Sequence, residues 1–173
     1  GKRILITGAG GSIGGQLCKQ ILNLNAKSII LIDHSEVNLY KIDLELSKYN
    51  STKKIVSILG DVKNKNLLRR IISENNVDII FHAAAYKHVP LIENNFIAGI
   101  ENNVFSSYVI CQISRELNIK KVILISSDKA VRPTNFMGAT KRISELIFMS
   151  FSKLVEKNYE DKRNKTIFTI VRF

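Results

Sequence analysis

Short apolar runs alternate with longer stretches of helical spacing along the whole chain. Ile4-Leu5-Ile6 reads as a buried strand, and residues 16–22 have the spacing of a helix. Residues 28–33 predict a second strand. Residues 36–47 predict a helix with Val37, Tyr40, Leu44 and Ser47 on one side. A third strand covers 54–59 and ends at Gly60-Asp61. A helix covers 64–74 and a fourth strand 77–82. A loop through Pro90 leads into a long helical stretch, 96–117. The fifth strand is 121–126, the last helix 136–157 and the sixth strand 166–173. The charged segment 157–165 reads as an exposed connection. Continuous apolar strands joined by helices mean an α/β fold: a doubly wound parallel sheet covered on both faces. No repeat, low-complexity tract or internal linker interrupts it, so 1–173 is one domain.

The first loop narrows the picture. Thr7-Gly8-Ala9-Gly10-Gly11-Ser12-Ile13-Gly14 joins a strand to a helix, the setting in which glycines cradle a pyrophosphate. Gly8 allows the tight turn, Gly11 lets the backbone approach phosphates, and Gly14 lets helix and strand pack closely. The N–H groups of the first helical turn then face the anion. The spacing is Gly-x-x-Gly-x-x-Gly, unlike the commonest dinucleotide loop. A glycine-rich turn without a ligand is the plainer alternative.

Composition excludes more than it selects. The chain has 173 residues, 45% of them hydrophobic, and no apolar run long enough for a membrane span. No signal-peptide pattern opens it. Gly1-Lys2-Arg3 stands directly before a strand and Val171-Arg172-Phe173 ends inside one, so the chain reads as a fragment of a longer protein. Cys18 and Cys111 sit far apart in helical patterns, which supports neither a disulfide nor a metal site and fits a reducing, cytoplasmic setting. His34, His82 and His88 show no ligand spacing, and no metal is expected. The formal charge is +11. Its cations are scattered as Lys53-Lys54, Arg69-Arg70, Lys120-Lys121 and Lys162-Arg163, mostly beside strand starts and helix ends. Without an aromatic and basic stripe they predict a solvated surface and no nucleic-acid partner.

In doubly wound sheets ligands lie beyond the carboxyl ends of the strands. That rule selects 8–14, Asp33, Asp61, 83–86 and 126–129. Asp33 closes the second strand about 20 residues beyond the glycine loop, where an acid accepts the ribose hydroxyls of a dinucleotide. A carboxylate there repels a 2′-phosphate, and His34 and Ser35 supply no Arg, so NAD is expected over NADP. Asp33 as the N-cap of the next helix is the alternative. Asp61 is placed for the adenine edge, or is a plain turn residue.

Four segments now occur in order: Thr-Gly-Ala-Gly-Gly-Ser-Ile-Gly at 7–14, Ala-Ala-Ala-Tyr-Lys-His-Val-Pro at 83–90, Ser-Ser-Asp-Lys-Ala-Val-Arg-Pro-Thr-Asn at 126–135 and Phe-Met-Gly-Ala-Thr-Lys-Arg at 136–142. On these the chain resembles the extended short-chain dehydrogenase/reductase superfamily. Within it, the chain resembles the nucleotide-sugar 4,6-dehydratases that act on UDP-N-acetylglucosamine in bacterial polysaccharide and glycan biosynthesis. The resemblance implies a Rossmann-like NAD-binding domain without most of its C-terminal substrate part. It implies a cofactor site of Gly8, Gly11, Ser12, Ile13, Gly14, Asp33, His34, Ser35, Asp61, Val62, Ala83, Ala84, Ala85 and Lys141. It makes Lys129 the base at C5 of the sugar, Asp128 the acid at C6 and Ser127 the holder of the C4 oxygen. Lys141 becomes the cation at the nicotinamide ribose. Burial and the Lys141 charge are expected to lower the Lys129 pKa. Lys87, Asn103 and Asn135 are carried over as substrate-side residues.

The sequence departs from the family pattern at three places. The superfamily's Tyr-x-x-x-Lys is Met137-Gly-Ala-Thr-Lys141 here, as in the large membrane-anchored members of the branch. Met137 and Lys141 still share a helix face. Ser127 stands where Thr is common, and Ser106-Ser107 replaces a usual Gly-Thr after Asn103. The expected partners are a UDP-sugar and a second copy of the chain, with a membrane reached only through segments outside this sequence. A 4-epimerase of the same superfamily and a catalytically silent NAD-binding module are the competing readings.

Overall fold

The computed structural model describes residues 1–49, 53–157 and 165–173. Six parallel strands form one sheet: β1 (Lys2–Thr7), β2 (Ala26–Asp33), β3 (Lys54–Leu59), β4 (Ile79–His82), β5 (Lys121–Ser126) and β6 (Ile167–Arg172). Their order is β3-β2-β1-β4-β5-β6. The chain winds outward in one direction from β1 and then in the other from β4. The switch point lies between these two strands, where Thr7 pairs with His82.

Alternate side chains divide the core. Leu5, Ile30 and Ile32 face one layer with Leu68, Ile71, Ile110 and Phe148, from α3 (Lys65–Glu74), α6 (Ser106–Glu116) and α7 (Phe136–Lys157). Ile4, Ile6, Ile29 and Leu31 face the other, with Cys18, Ile21, Leu39, Ile42 and Leu46 from α1 (Ser12–Asn23) and α2 (Glu36–Ser47). Both sheet faces are therefore covered, and the strands carry apolar residues at successive positions for that reason.

Four local expectations need correction. Val37, Tyr40, Leu44 and Ser47 do share a side of α2, but it is the solvent side; Leu39, Ile42 and Leu46 pack inward. The loop through Pro90 is a helix, α4 (Val89–Asn94), because Pro in a first turn surrenders an N–H that has no helical partner. The stretch 96–117 is α5 (Phe96–Gly99), a π-helical turn (Ile100–Phe105) and then α6. The fourth strand starts at Ile79, since Asp78 turns its carboxylate onto Arg3 and Lys120. The expected exposed connection 157–165 falls largely outside the described residues. Among the described residues, no helix is long and apolar enough to cross a membrane, and no cluster of His, Cys, Asp or Glu could hold a metal.

Candidate active site

The glycine loop has the strain and the close contacts that demand glycine. Gly8 adopts φ +65°, and a Cβ there would lie 2.6 Å from the Ala84 Cα. A Cβ on Gly14 would lie 2.0 Å from the Gly8 carbonyl oxygen, so α1 can sit over the turn only without one. Gly11 is the N-cap of α1 and no side chain caps this end. The first-turn amides are left to water or to an anion.

Two adjoining cavities open over the carboxyl ends of the strands, with Gly11, Ala83, Ala85 and Tyr86 as a common wall. The smaller, about 200 Å³, is lined by Gly8, Asp33, His34, Ser35, Asp61, Val62 and Ala84. The larger, about 670 Å³, is lined by Ser12, Ile13, Gly14, Lys87, Ser126, Ser127, Lys129, Met137, Lys141 and Phe173. All the residues expected at the cofactor thus come together, divided by the glycine loop. A two-lobed ligand with a central pyrophosphate fits this cradle.

Asp33 is buried. Its Oδ2 accepts the Gly10 N–H at 3.0 Å and its Oδ1 the Ser35 N–H at 2.9 Å. The N-cap of α2 is Ser35, whose hydroxyl accepts from Asn38 N, so the capping alternative for Asp33 is set aside. Each carboxylate oxygen keeps a further lone pair for a ribose hydroxyl. Asp61 accepts the Lys63 N–H at 2.8 Å and pairs with the Lys63 ammonium at 3.3 Å.

At the far wall a 3-10 turn (Asp128–Ala130) follows β5. The Ser127 hydroxyl donates to Asp128 at 3.0 Å and accepts the Lys129 N–H at 3.2 Å. The Lys129 ammonium lies 3.6 Å from Asp128. The Ser127 hydrogen bond, then the Lys129 charge, holds the Asp128 carboxyl below its ordinary value. The expected burial of Lys129 is corrected: its side chain is 54% exposed and that of Asp128 75%. Met137 and Lys141 lie one turn apart on α7 and both are buried. The Lys141 ammonium donates to the Ile125 carbonyl at 2.6 Å. Burial lowers its pKa to about 8, against the opposing pull of Glu145.

The three substrate-side residues separate. Lys87 lies across the mouth of the glycine loop, its Nζ 3.3 Å from the Ser12 hydroxyl. Asn135 caps α7, accepting the Gly138 N–H at 2.7 Å. Asn103 is corrected outright: it is 1% exposed and fully engaged within the protein. Its Oδ1 accepts the Tyr86 N–H at 2.7 Å, and its Nδ2 donates to the Tyr86 carbonyl at 3.0 Å and to Thr140 at 2.9 Å. It pins the loop after β4 to α7 and positions the site from behind.

A buried polar network that sequence reasoning missed lies under this wall. The Ala84 N–H donates to the Thr7 hydroxyl at 3.3 Å, and that hydroxyl meets His82 Nδ1 at 2.7 Å. On the other side of the ring, Ser106 and Ser107 stand 3.4 and 3.3 Å from His82 Nε2. The Ser107 hydroxyl donates to the Asn103 carbonyl at 2.7 Å and Ser144 donates to it at 2.9 Å. With these hydroxyl protons committed, Nε2 is the ring's donor and Nδ1 its acceptor. Burial, then the Lys141 charge, lowers the His82 pKa to about 3, so the ring stays neutral. The Ser106-Ser107 departure is thereby explained as partners for this imidazole. Beneath β5, Glu145 is fully buried and accepts from Ser126 at 2.7 Å, from Arg142 at 3.0 Å and from Arg172 at 2.7 Å. The available signal was helical spacing: Met137, Lys141, Glu145 and Phe148 share the inner face of α7.

Comparison with known proteins follows the same lines. A family model described as polysaccharide biosynthesis protein matches residues 4–173. The capsular polysaccharide biosynthesis protein CapD of Staphylococcus aureus is 40% identical over 173 residues, covering 99% of this chain and 28% of that protein. A UDP-N-acetylglucosamine 4,6-dehydratase (inverting) of Campylobacter jejuni is 32% identical over 174 residues, 100% of this chain and 48% of that one. Among solved structures, Pen from Bacillus thuringiensis superposes with a TM-score of 0.87 at 31% identity, over 99% of this chain and 51% of its own. A UDP-glucose 4-epimerase from Bifidobacterium longum, in complex with NAD+ and UDP, gives 0.75 at 25% identity over 98% and 52%. The chain spans about half the length of these proteins or less.

Proposed function

Because the chain belongs to the polysaccharide biosynthesis protein family, we propose that it is the NAD-binding and catalytic half of a nucleotide-sugar 4,6-dehydratase acting on a UDP-N-acetylhexosamine. One observation carries the reading. Ser127, Asp128 and Lys129 stand on a single turn after β5, beside the cavity that also holds Met137 and Lys141. An acid and a base side by side suit an elimination of water. The epimerase alternative has no use for the pair.

Bound NAD supplies an acceptor and donor of hydride, so C4 is oxidised, C6 is reduced and the sugar undergoes no net redox change. In this reading Lys129 takes the C5 proton once C4 is a ketone. Asp128 gives a proton to the departing C6 hydroxyl, which leaves as water; the step requires burial under bound substrate to protonate a carboxyl that Ser127 and Lys129 keep low in the open site. Ser127 holds the C4 oxygen. Lys141 places its charge at the ribose end of the cofactor, and Met137 packs beside it. The exposure of Asp128 and Lys129 fits a site whose cover comes from the rest of a longer chain. Asp33 favours NAD over NADP, since a 2′-phosphate would face a buried carboxylate. The buried free thiols of Cys18 and Cys111 fit a cytoplasmic setting.

The test is incubation of the full-length protein with UDP-N-acetylglucosamine. A product lighter by one water supports the proposal. A C4 epimer of unchanged mass replaces it with the epimerase, and cofactor binding without turnover leaves a silent module. Lys129→Ala is expected to abolish exchange of the C5 proton with deuterated solvent; exchange at the wild-type rate would put the base elsewhere.

A further inference from the structure

The cations that look scattered in sequence are gathered by the topology. In a parallel sheet every strand begins on the same edge. Following the strand order, that edge carries Lys53 and Lys54 at β3, Lys27 at β2, Lys2 and Arg3 at β1, Lys120 and Lys121 at β5 and Lys165 before β6. Among the described residues of these strand entries there is one carboxylate, Asp78, before β4. It is already taken by Arg3 at 3.0 Å and Lys120 at 2.8 Å. Lys53 is committed to the Leu22 and Leu24 carbonyls at the end of α1. The helix ends that return to this edge carry both signs, with Lys48, Arg115 and Lys153 set against Glu74, Glu116 and Glu156. The excess of positive charge at the strand entries therefore stands. Six strands spaced by about 4.8 Å make it a row roughly 24 Å long. Two aliphatic side chains project from the same edge, Leu24 at 64% and Ile167 at 58% exposure.

We propose that this edge docks the domain on an anionic lipid surface. Seven of the eight cations at the strand entries are Lys, which bind as point charges rather than as planar forks. The apolar groups beside them are the aliphatic Leu24 and Ile167, suited to the acyl boundary, and Tyr49, an amphipathic ring suited to the headgroup level. The cavities open at the opposite ends of the strands, so docking leaves the cleft facing solvent. The proposal is independent of the chemistry performed in that cleft.

Co-sedimentation of the full chain with vesicles tests it, comparing phosphatidylglycerol mixed into phosphatidylcholine with phosphatidylcholine alone. Each basic residue held at such a surface strengthens partition by roughly fivefold. The triple variant Lys27→Glu, Lys54→Glu, Lys121→Glu should bind the anionic vesicles about a hundredfold more weakly or worse. A control triple, Lys41→Glu, Lys65→Glu, Arg132→Glu, makes the same change in net charge away from the edge and should keep most of the binding. All six side chains are exposed, and circular dichroism checks that both triples fold. Equal loss in both triples would reduce the effect to net charge and overturn the proposal. So would absence of wild-type binding to the anionic vesicles. Tighter edge-dependent binding to a duplex or single-stranded oligonucleotide than to vesicles would overturn it in favour of nucleic acid.

Discussion

Glu145→Gln is the most informative single substitution. It keeps the size of the side chain and its bond to Ser126 but removes the charge that Arg172 and Arg142 share. Burial acts to raise the Glu145 pKa, yet the hydrogen bonds from Arg172, Ser126 and Arg142 outweigh it and bring the group from 4.5 to about 2. At about 1.36 kcal/mol per pH unit, this is worth roughly 3 kcal/mol of folding stability at neutral pH. The sign follows from the lowered value. The contribution is fully present above pH 4.5 and is lost as pH falls toward 2. At pH 3 it should shrink to roughly 1–1.5 kcal/mol. Urea unfolding of wild type and variant at pH 7 and pH 3 reads the difference directly, because every other titrating group is common to both. The expected result is a gap that narrows by about half or more on acidification. A gap of the same size at both pH values would mean that packing, not charge, is what the variant loses. A gap under about 1 kcal/mol at pH 7 would refute the pairing outright, since breaking a buried pair ordinarily costs about 3–5 kcal/mol.

Three more outcomes are expected. Gly14→Ala places a methyl group against the Gly8 carbonyl, so NAD binding measured by calorimetry should fall at least about tenfold, the equivalent of some 1.4 kcal/mol. Asn103→Ala leaves the Tyr86 N–H and carbonyl without their side-chain partner, at about 1–3 kcal/mol for each group left unpaired, while the Thr140 hydroxyl keeps its bond to the Met137 carbonyl; chemical denaturation should show a loss of several kcal/mol. Lys141 should titrate near pH 8 in a carbon NMR titration of its Cε, and an ordinary value near 10.5 would contradict the burial described.

The sheet was legible because buried parallel strands leave a continuous apolar record, and strand ends moved by only a few residues. The glycine loop and Asp33 were legible because their chemistry is local. The inner face of α2 was not. Val37, Tyr40 and Leu44 are as apolar as Leu39, Ile42 and Leu46, and periodicity alone does not say which stripe meets the sheet. The π-helical turn was hidden too, since its Asn103 is bonded to Tyr86 and Thr140, partners that lie outside the turn and that helical spacing does not reveal. His82 and Glu145 were missed for a related reason. A lone His at a strand end or a lone Glu on a helix acquires its meaning chiefly from distant partners, Thr7 75 residues from His82 and Ser126 19 residues from Glu145.

The position of β1 has a consequence for biosynthesis. This strand is made first, yet it sits in the middle of the sheet, between β2 and β4. His82, which pairs with Thr7 on that side, follows it by 75 residues. At roughly 5–20 residues per second, one edge of β1 waits on the order of 4–15 seconds for its neighbour to leave the ribosome. An unpaired apolar edge is a template for pairing with the wrong chain. The strand that later holds the glycine turn in place is the one the nascent protein must shield longest.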